Sequence, residues 1–212
     1  MTPAAIAVFY QRLADANPAP QTELAFTDAY TLLVAVVLSA QSTDVGVNKA
    51  TRGLFAAAST PAAMVALGEA AVRDHIKTIG LFNTKARNVI ALSALLVAEH
   101  GGAVPRDRDA LEALPGVGRK TANVVLNTAF GDLTCAVDTH VFRVANRTGL
   151  APGKTVDAVE TAIMARTPDR FLRNAHHWLI LHGRYVCMAR APRCDGCRVV
   201  DVCGFDAKTG LA

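Results

Sequence analysis

Four cysteines crowd the end of the chain in the pattern Cys187-x6-Cys194-x2-Cys197-x5-Cys203. Four thiolates within so short a span can surround a zinc ion or an iron–sulphur cluster. Structural zinc sites usually offer their ligands as two close couples, whereas only Cys194 and Cys197 form one here, which favours iron. Cys135 stands apart and reads as a buried core thiol rather than a ligand. Arg184, Arg190, Arg193 and Arg198 lie in or beside the cysteine loops, opposed within that stretch by Asp195 alone. A cluster that stiffened residues 188–193 would present those arginines to phosphates. Charge runs are, equally, the ordinary material of a solvated surface.

A second constellation is Leu114-Pro115-Gly116-Val117-Gly118-Arg119-Lys120. The glycines allow a tight turn and the close approach of another backbone. Amides at such a turn, and at the start of the helix that follows, lack helical partners and sit at the positive end of the helix dipole. They suit a phosphate. A grip of this kind holds a nucleic-acid backbone without reading its sequence. A plain turn between two helices also often contains Gly. Arg119 and Lys120 favour the anion reading, because two cations at a helix N-terminus are unfavourable without a negative ligand.

Lys120 is a candidate nucleophile. A neutral lysine amine can attack the anomeric carbon of a sugar and form a Schiff base. A carboxylate nearby can move protons or stabilise positive charge on the sugar, and Asp138 is the candidate. The plainer alternatives are a solvated surface lysine and an ordinary helix cap.

Helices must position these groups. Periodicity and caps predict helices over 3–15, from Asp28 to Leu38, 44–57, Pro61 to Leu67, 70–77 and 84–99. A short helix spans 107–114, Pro115 to Gly118 break it, and a helix resumes over 119–130. Asp138 caps a helix running to Arg147 with Gly149 as its stop, and Thr155 and Asp169 precede two more. The 212 residues are 51% hydrophobic, and few stretches alternate apolar and polar residues strictly, so the expected class is all-α. The formal net charge of +4 is compatible with a nucleic-acid partner and does not require one. No apolar run is long enough to span a bilayer and no secretory signal is visible, so a cytoplasmic protein with no membrane partner is expected. In a reducing compartment, clustered cysteines favour metal over disulfides. His140, His176, His177 and His182 lack metal-motif spacing and read as core or surface residues, with His140 placed close to Asp138 by sequence.

Together these segments resemble the endonuclease III family of DNA glycosylases. The resemblance rests on Leu38-Ser-Ala-Gln-Ser-Thr-Asp44, Thr78-Ile-Gly-Leu81, Leu114 to Leu126, Val137-Asp-Thr-His140, His177 to Tyr185 and the cysteine tail, and it covers nearly the whole chain. It implies two all-helical lobes with the active site in the cleft between them. One is a six-helix domain at 22–133 holding a helix–hairpin–helix at about 107–130. The other joins 1–21 to 134–212 around a [4Fe-4S] cluster on Cys187, Cys194, Cys197 and Cys203. It implies base excision from damaged double-stranded DNA by a monomer that flips the nucleotide out. Lys120 is then the Schiff-base nucleophile and Asp138 its partner. Gln41 and Leu81 enter the duplex, Leu81 as an apolar wedge. Gly116, Val117, Gly118, Arg119, Arg184, Arg190 and Arg193 contact DNA. Gln41 and Leu81 also admit plainer roles, as a polar helix residue and a core side chain.

Oxidised pyrimidines are the lesions the resemblance implies. A pyrimidine-dimer glycosylase of the same superfamily keeps both the lysine and the cluster and is the nearest rival. A related adenine glycosylase lacks a lysine where Lys120 stands. An inactive DNA-binding module would have no use for Lys120 and Asp138 together. One departure concerns the cysteine loop, where some relatives carry a basic residue and this chain has Ala191, flanked by Arg190 and Arg193.

Overall fold

A computed structural model describes residues 1–210. Every regular element among them is helical, in two compact units. One unit is Thr22–Asp132. It holds α2 (Ala29–Ser39), α3 (Asp44–Ala57), α4 (Pro61–Leu67), α5 (Glu69–Ile76), α6 (Phe82–His100), α7 (Arg108–Glu112) and α8 (Arg119–Phe130). Every residue of α2 from Tyr30 to Leu38 is buried. A helix apolar on all sides belongs at the centre of its unit, and α2 accordingly packs against α3, α6 and α8. Asp28 and Thr31 start it with a reciprocal capping box. The one polar ring in this core, Tyr30, is satisfied by Ser93 Oγ at 2.7 Å.

The other unit is Met1–Gln21 with Leu133–Ala212, described as far as Gly210. It contains α1 (Pro3–Ala16), α9 (Thr139–Thr148), α10 (Val156–Arg166) and α11 (Asp169–Tyr185), followed by the cysteine tail. Phe9, Tyr10, Phe171 and Trp178 form its aromatic centre, with Tyr10 stacked on Phe171 at 5.7 Å. Two of its buried polar groups are matched: Tyr10 pairs with Thr167 at 3.0 Å, and Trp178 Nε1 donates to the Asn17 carbonyl at 2.8 Å. Such pairing avoids the cost of a buried unsatisfied donor. Gly183 on α11 lets α9 approach, since a Cβ there would meet the His140 Cβ at 2.9 Å.

Four helix starts differ from expectation: α5 begins one residue early, at Glu69, and α7 one residue late, at Arg108 behind its N-cap Asp107. Asp169 is the first residue inside α11, and Pro168 takes the N-cap position. α6 begins at Phe82, two residues early, because Leu81 adopts left-handed backbone at φ 58° and starts the helix itself.

Candidate active site

The turn between α7 and α8 is built as its glycines require. Gly116 sits at φ 80°, and a Cβ there would lie 2.7 Å from Asn88 Nδ2. Only glycine fits both demands. Gly118 is the N-cap of α8 and brings no side-chain cap to it. The first N–H groups of this twelve-residue helix therefore make no bond to a cap side chain. Lys120 and Arg119 stand exposed on that first turn.

Val117 closes the hairpin from within. Its side chain is buried, and its N–H donates to the Leu114 carbonyl at 3.0 Å.

Asp138 is half-buried at the N-cap of α9. Both of its bonds fall on one oxygen: Oδ1 accepts from the His140 N–H at 2.9 Å and the Val141 N–H at 2.8 Å. The cap role and a chemical role are thus compatible, because pinning Oδ1 fixes the carboxylate and leaves Oδ2 for other work. Upstream, Cys135 is fully buried, and burial pushes its thiol up to about 12, as a core thiol demands. The His140 ring lies beside Arg143, 3.2 Å from Nδ1 to the guanidinium.

Gln41 and Leu81 are the two described non-glycine residues with positive φ, at 54° and 58°. Left-handed backbone is strained for such side chains, and strain of this kind concentrates at functional sites. Both side chains are exposed, Leu81 by 57%, so neither is a core residue.

Cys187, Cys194, Cys197 and Cys203 line one partly open pocket together with Arg147, His182 and Phe205. All four are free thiols. Among the described residues no three His, Cys, Asp or Glu side chains converge tightly enough for one metal ion. Four thiols spread around a cavity fit a larger multi-iron group better than a single zinc. Burial pushes the Cys197 and Cys203 thiols up, so their thiolates need cationic compensation. Burial also pulls His182 down to about 4, leaving a neutral ring 3.9 Å from the Cys197 sulfur.

Two arginines one helical turn apart on α9, absent from the sequence reading, organise the first cysteine loop. Arg143 donates to the Gly183 carbonyl at 2.7 Å and the Cys187 carbonyl at 3.1 Å. Arg147 donates to the Met188 and Ala189 carbonyls at 2.7 and 2.9 Å, and it stacks on Phe205. Their only sequence signal was an i, i+4 spacing on the helix after Asp138. Arg190 and Arg193 are exposed on the loop so held, while Arg184 is half-buried with partners of its own. Lys120 belongs to one compact unit and Asp138, with the cysteines, to the other.

A profile of the HhH-GPD superfamily of base excision DNA repair proteins matches residues 34–169. Endonuclease III of Escherichia coli (strain K12) is 58% identical over 200 residues, covering 94% of this chain and 95% of that one. Endonuclease III of Haemophilus influenzae is 56% identical, covering 93% of each chain. Among solved structures, a trapped endonuclease III–DNA covalent intermediate superposes with a TM-score of 0.90 at 42% identity, covering 96% of both chains. A thermostable thymine-DNA glycosylase superposes with a TM-score of 0.85 at 25% identity, covering 95% of this chain and 96% of that one.

Proposed function

Because this chain belongs to the endonuclease III family of HhH-GPD base excision DNA repair proteins, we propose that it removes oxidised pyrimidines from duplex DNA and cuts the resulting abasic site through a Schiff base on Lys120. The observation that carries the reading is a lysine on the first turn of an uncapped helix, directly after a hairpin shaped to grip phosphate.

The chemistry follows from the side chains. The neutral Lys120 amine attacks the anomeric carbon of a flipped-out nucleotide, and the glycosidic bond breaks as the base departs with its electron pair. Loss of the sugar ring oxygen as an alcohol gives the Schiff base. Loss of a proton from the adjacent carbon then expels the 3′ phosphate by β-elimination. Asp138, with Oδ1 held by the α9 amides, uses Oδ2 to balance the positive charge that grows on the sugar and to relay protons. The Gly116–Gly118 turn and the α8 N-terminus bind the DNA backbone, helped by Arg119, Arg184, Arg190 and Arg193. Gln41 and Leu81 fill the space that the flipped nucleotide leaves.

Cys187, Cys194, Cys197 and Cys203 would hold a [4Fe-4S] cluster, which staples the tail when bound. No described helix is long and apolar enough to cross a membrane. A chromosomal DNA substrate puts the work in the cytoplasm, at the nucleoid.

The test is borohydride trapping on duplexes carrying one thymine glycol or one abasic site. A covalent adduct that disappears in Lys120→Ala is expected. An adduct surviving in Lys120→Ala overturns the nucleophile, and no adduct with either duplex overturns the lyase.

A further inference from the structure

Lys85 is a lysine in an unusual place. It is only 4% exposed, on the first turns of α6. Burial lowers its proton affinity. No carboxylate pairs with it among the described residues, and its ammonium makes a single hydrogen bond, to Ser42 Oγ at 2.8 Å. A desolvated ammonium with one neutral partner, at the positive end of a helix, costs stability.

Its connections explain what that cost secures. The Lys85 N–H donates to the Leu81 carbonyl at 3.0 Å, while its ammonium reaches Ser42, the neighbour of Gln41. One residue thus holds both left-handed turns, by its backbone on one side and its side chain on the other. The turns are already adjacent: a Cβ on Gly80 would lie 3.7 Å from the Gln41 carbonyl oxygen. Ser42 closes its own turn through its N–H to the Ser39 carbonyl at 3.0 Å. One helical turn beyond Lys85, Asn88 supports the Gly116 bend. A single stripe of α6, at 81, 85 and 88, therefore carries one wedge residue, braces the turn of the other and underlies the hairpin.

We propose that Lys85 is a positioning residue that locks the Gln41 and Leu81 turns together, so that both side chains enter the duplex as one preset wedge. A preset wedge lowers the ordering cost at the moment the nucleotide is displaced. The proposal rests on the reading of Gln41 and Leu81 as residues that enter the duplex.

The test compares two reactions of the holoenzyme. One is single-turnover release of thymine glycol from a duplex, which requires displacement of a stacked base. The other is borohydride trapping on single-stranded DNA with one abasic site, which does not. In Lys85→Met the ratio of the two rates should fall by about tenfold or more, while Tm holds or rises because an apolar chain of similar length replaces a costly ammonium. Ser42→Ala, a milder change at a half-buried site, should lower the ratio in the same direction. Lys85→Met combined with Leu81→Ala should fall short of the product of the two effects, as coupled sites do. If Lys85→Met and Ser42→Ala leave the ratio unmoved while Leu81→Ala lowers it, the brace is overturned and the wedge stands. If Leu81→Ala and Gln41→Ala also leave it unmoved, the wedge reading falls and the brace with it.

Discussion

The guanidinium of Arg147 lies 3.6 Å from the Cys187 sulfur while donating to two carbonyls of the same loop. A fixed cation beside a cysteine cluster both closes the loop and offsets the negative charge of thiolates. Arg147→Met should therefore speed loss of the proposed cluster's visible absorbance under a chelator and open residues 188–193 to protease. Arg147→Lys should recover little, because an ammonium cannot reproduce the planar fork. Equal chelation rates in wild type and Arg147→Met would remove the role.

Substitution can separate the proposed chemical role of Asp138 from its role as the α9 cap. Asn caps a helix about as well as Asp, so Asp138→Asn should leave Tm nearly unchanged while single-turnover base release falls by at least about tenfold. Asp138→Ala should lose the same chemistry and, in addition, about 1 kcal/mol of stability. A fully active Asp138→Asn would reduce the residue to a cap.

The two hairpin glycines should fail in different ways. Gly116→Ala meets Asn88 at 2.7 Å from a left-handed backbone, so a loss of at least about 1 kcal/mol in stability is expected. Gly118 has open space around its Cβ position and ordinary φ, so Gly118→Ala should fold almost normally. Its DNA affinity should nonetheless drop several-fold in a filter or fluorescence assay, because the added methyl stands where a phosphate backbone approaches. Undiminished binding by Gly118→Ala would count against the hairpin as the grip.

His177 supplies a pH signature. It is 7% exposed, its Nδ1 has no partner, and burial lowers it from the ordinary 6.5. The neighbouring ring is His176, 5.2 Å away, whose Nδ1 bonds the Ala136 carbonyl at 2.7 Å. Below 6.5 the unfolded chain accepts a proton at His177 that the folded state resists. Stability is therefore lost as pH falls through that value. His177→Gln should flatten the decline in Tm between about pH 7 and pH 5. An unchanged slope would show that His177 is not its source.

Much of the fold is legible in the sequence. Periodicity located α2, α3, α8 and α9, and Asp28 and Asp138 marked two of their starts because each acts on its own neighbours in the chain. The all-helical class followed for the same reason. Where local rules competed with tertiary demands, the reading slipped. Leu81 resembles an ordinary residue before a helix, and nothing local announces its left-handed backbone. The glycine motif marks a turn without saying which N–H the turn consumes, and in the fold that N–H belongs to Val117.

What the sequence determined by itself was therefore everything that acts over a few residues: the helices, their caps, the glycine hinge and the supply of four thiols in one short tail. Tertiary structure alone decided the rest. It brought Arg143 and Arg147 from α9 onto a loop some 40 residues away in the chain, and it carried Lys85 across to Ser42, 43 residues distant. It also spread the thiols around one cavity. The reason is physical: caps and periodicity come from bonds between near neighbours. A guanidinium or ammonium that crosses between elements is placed only when packing removes it from water and leaves one partner within reach.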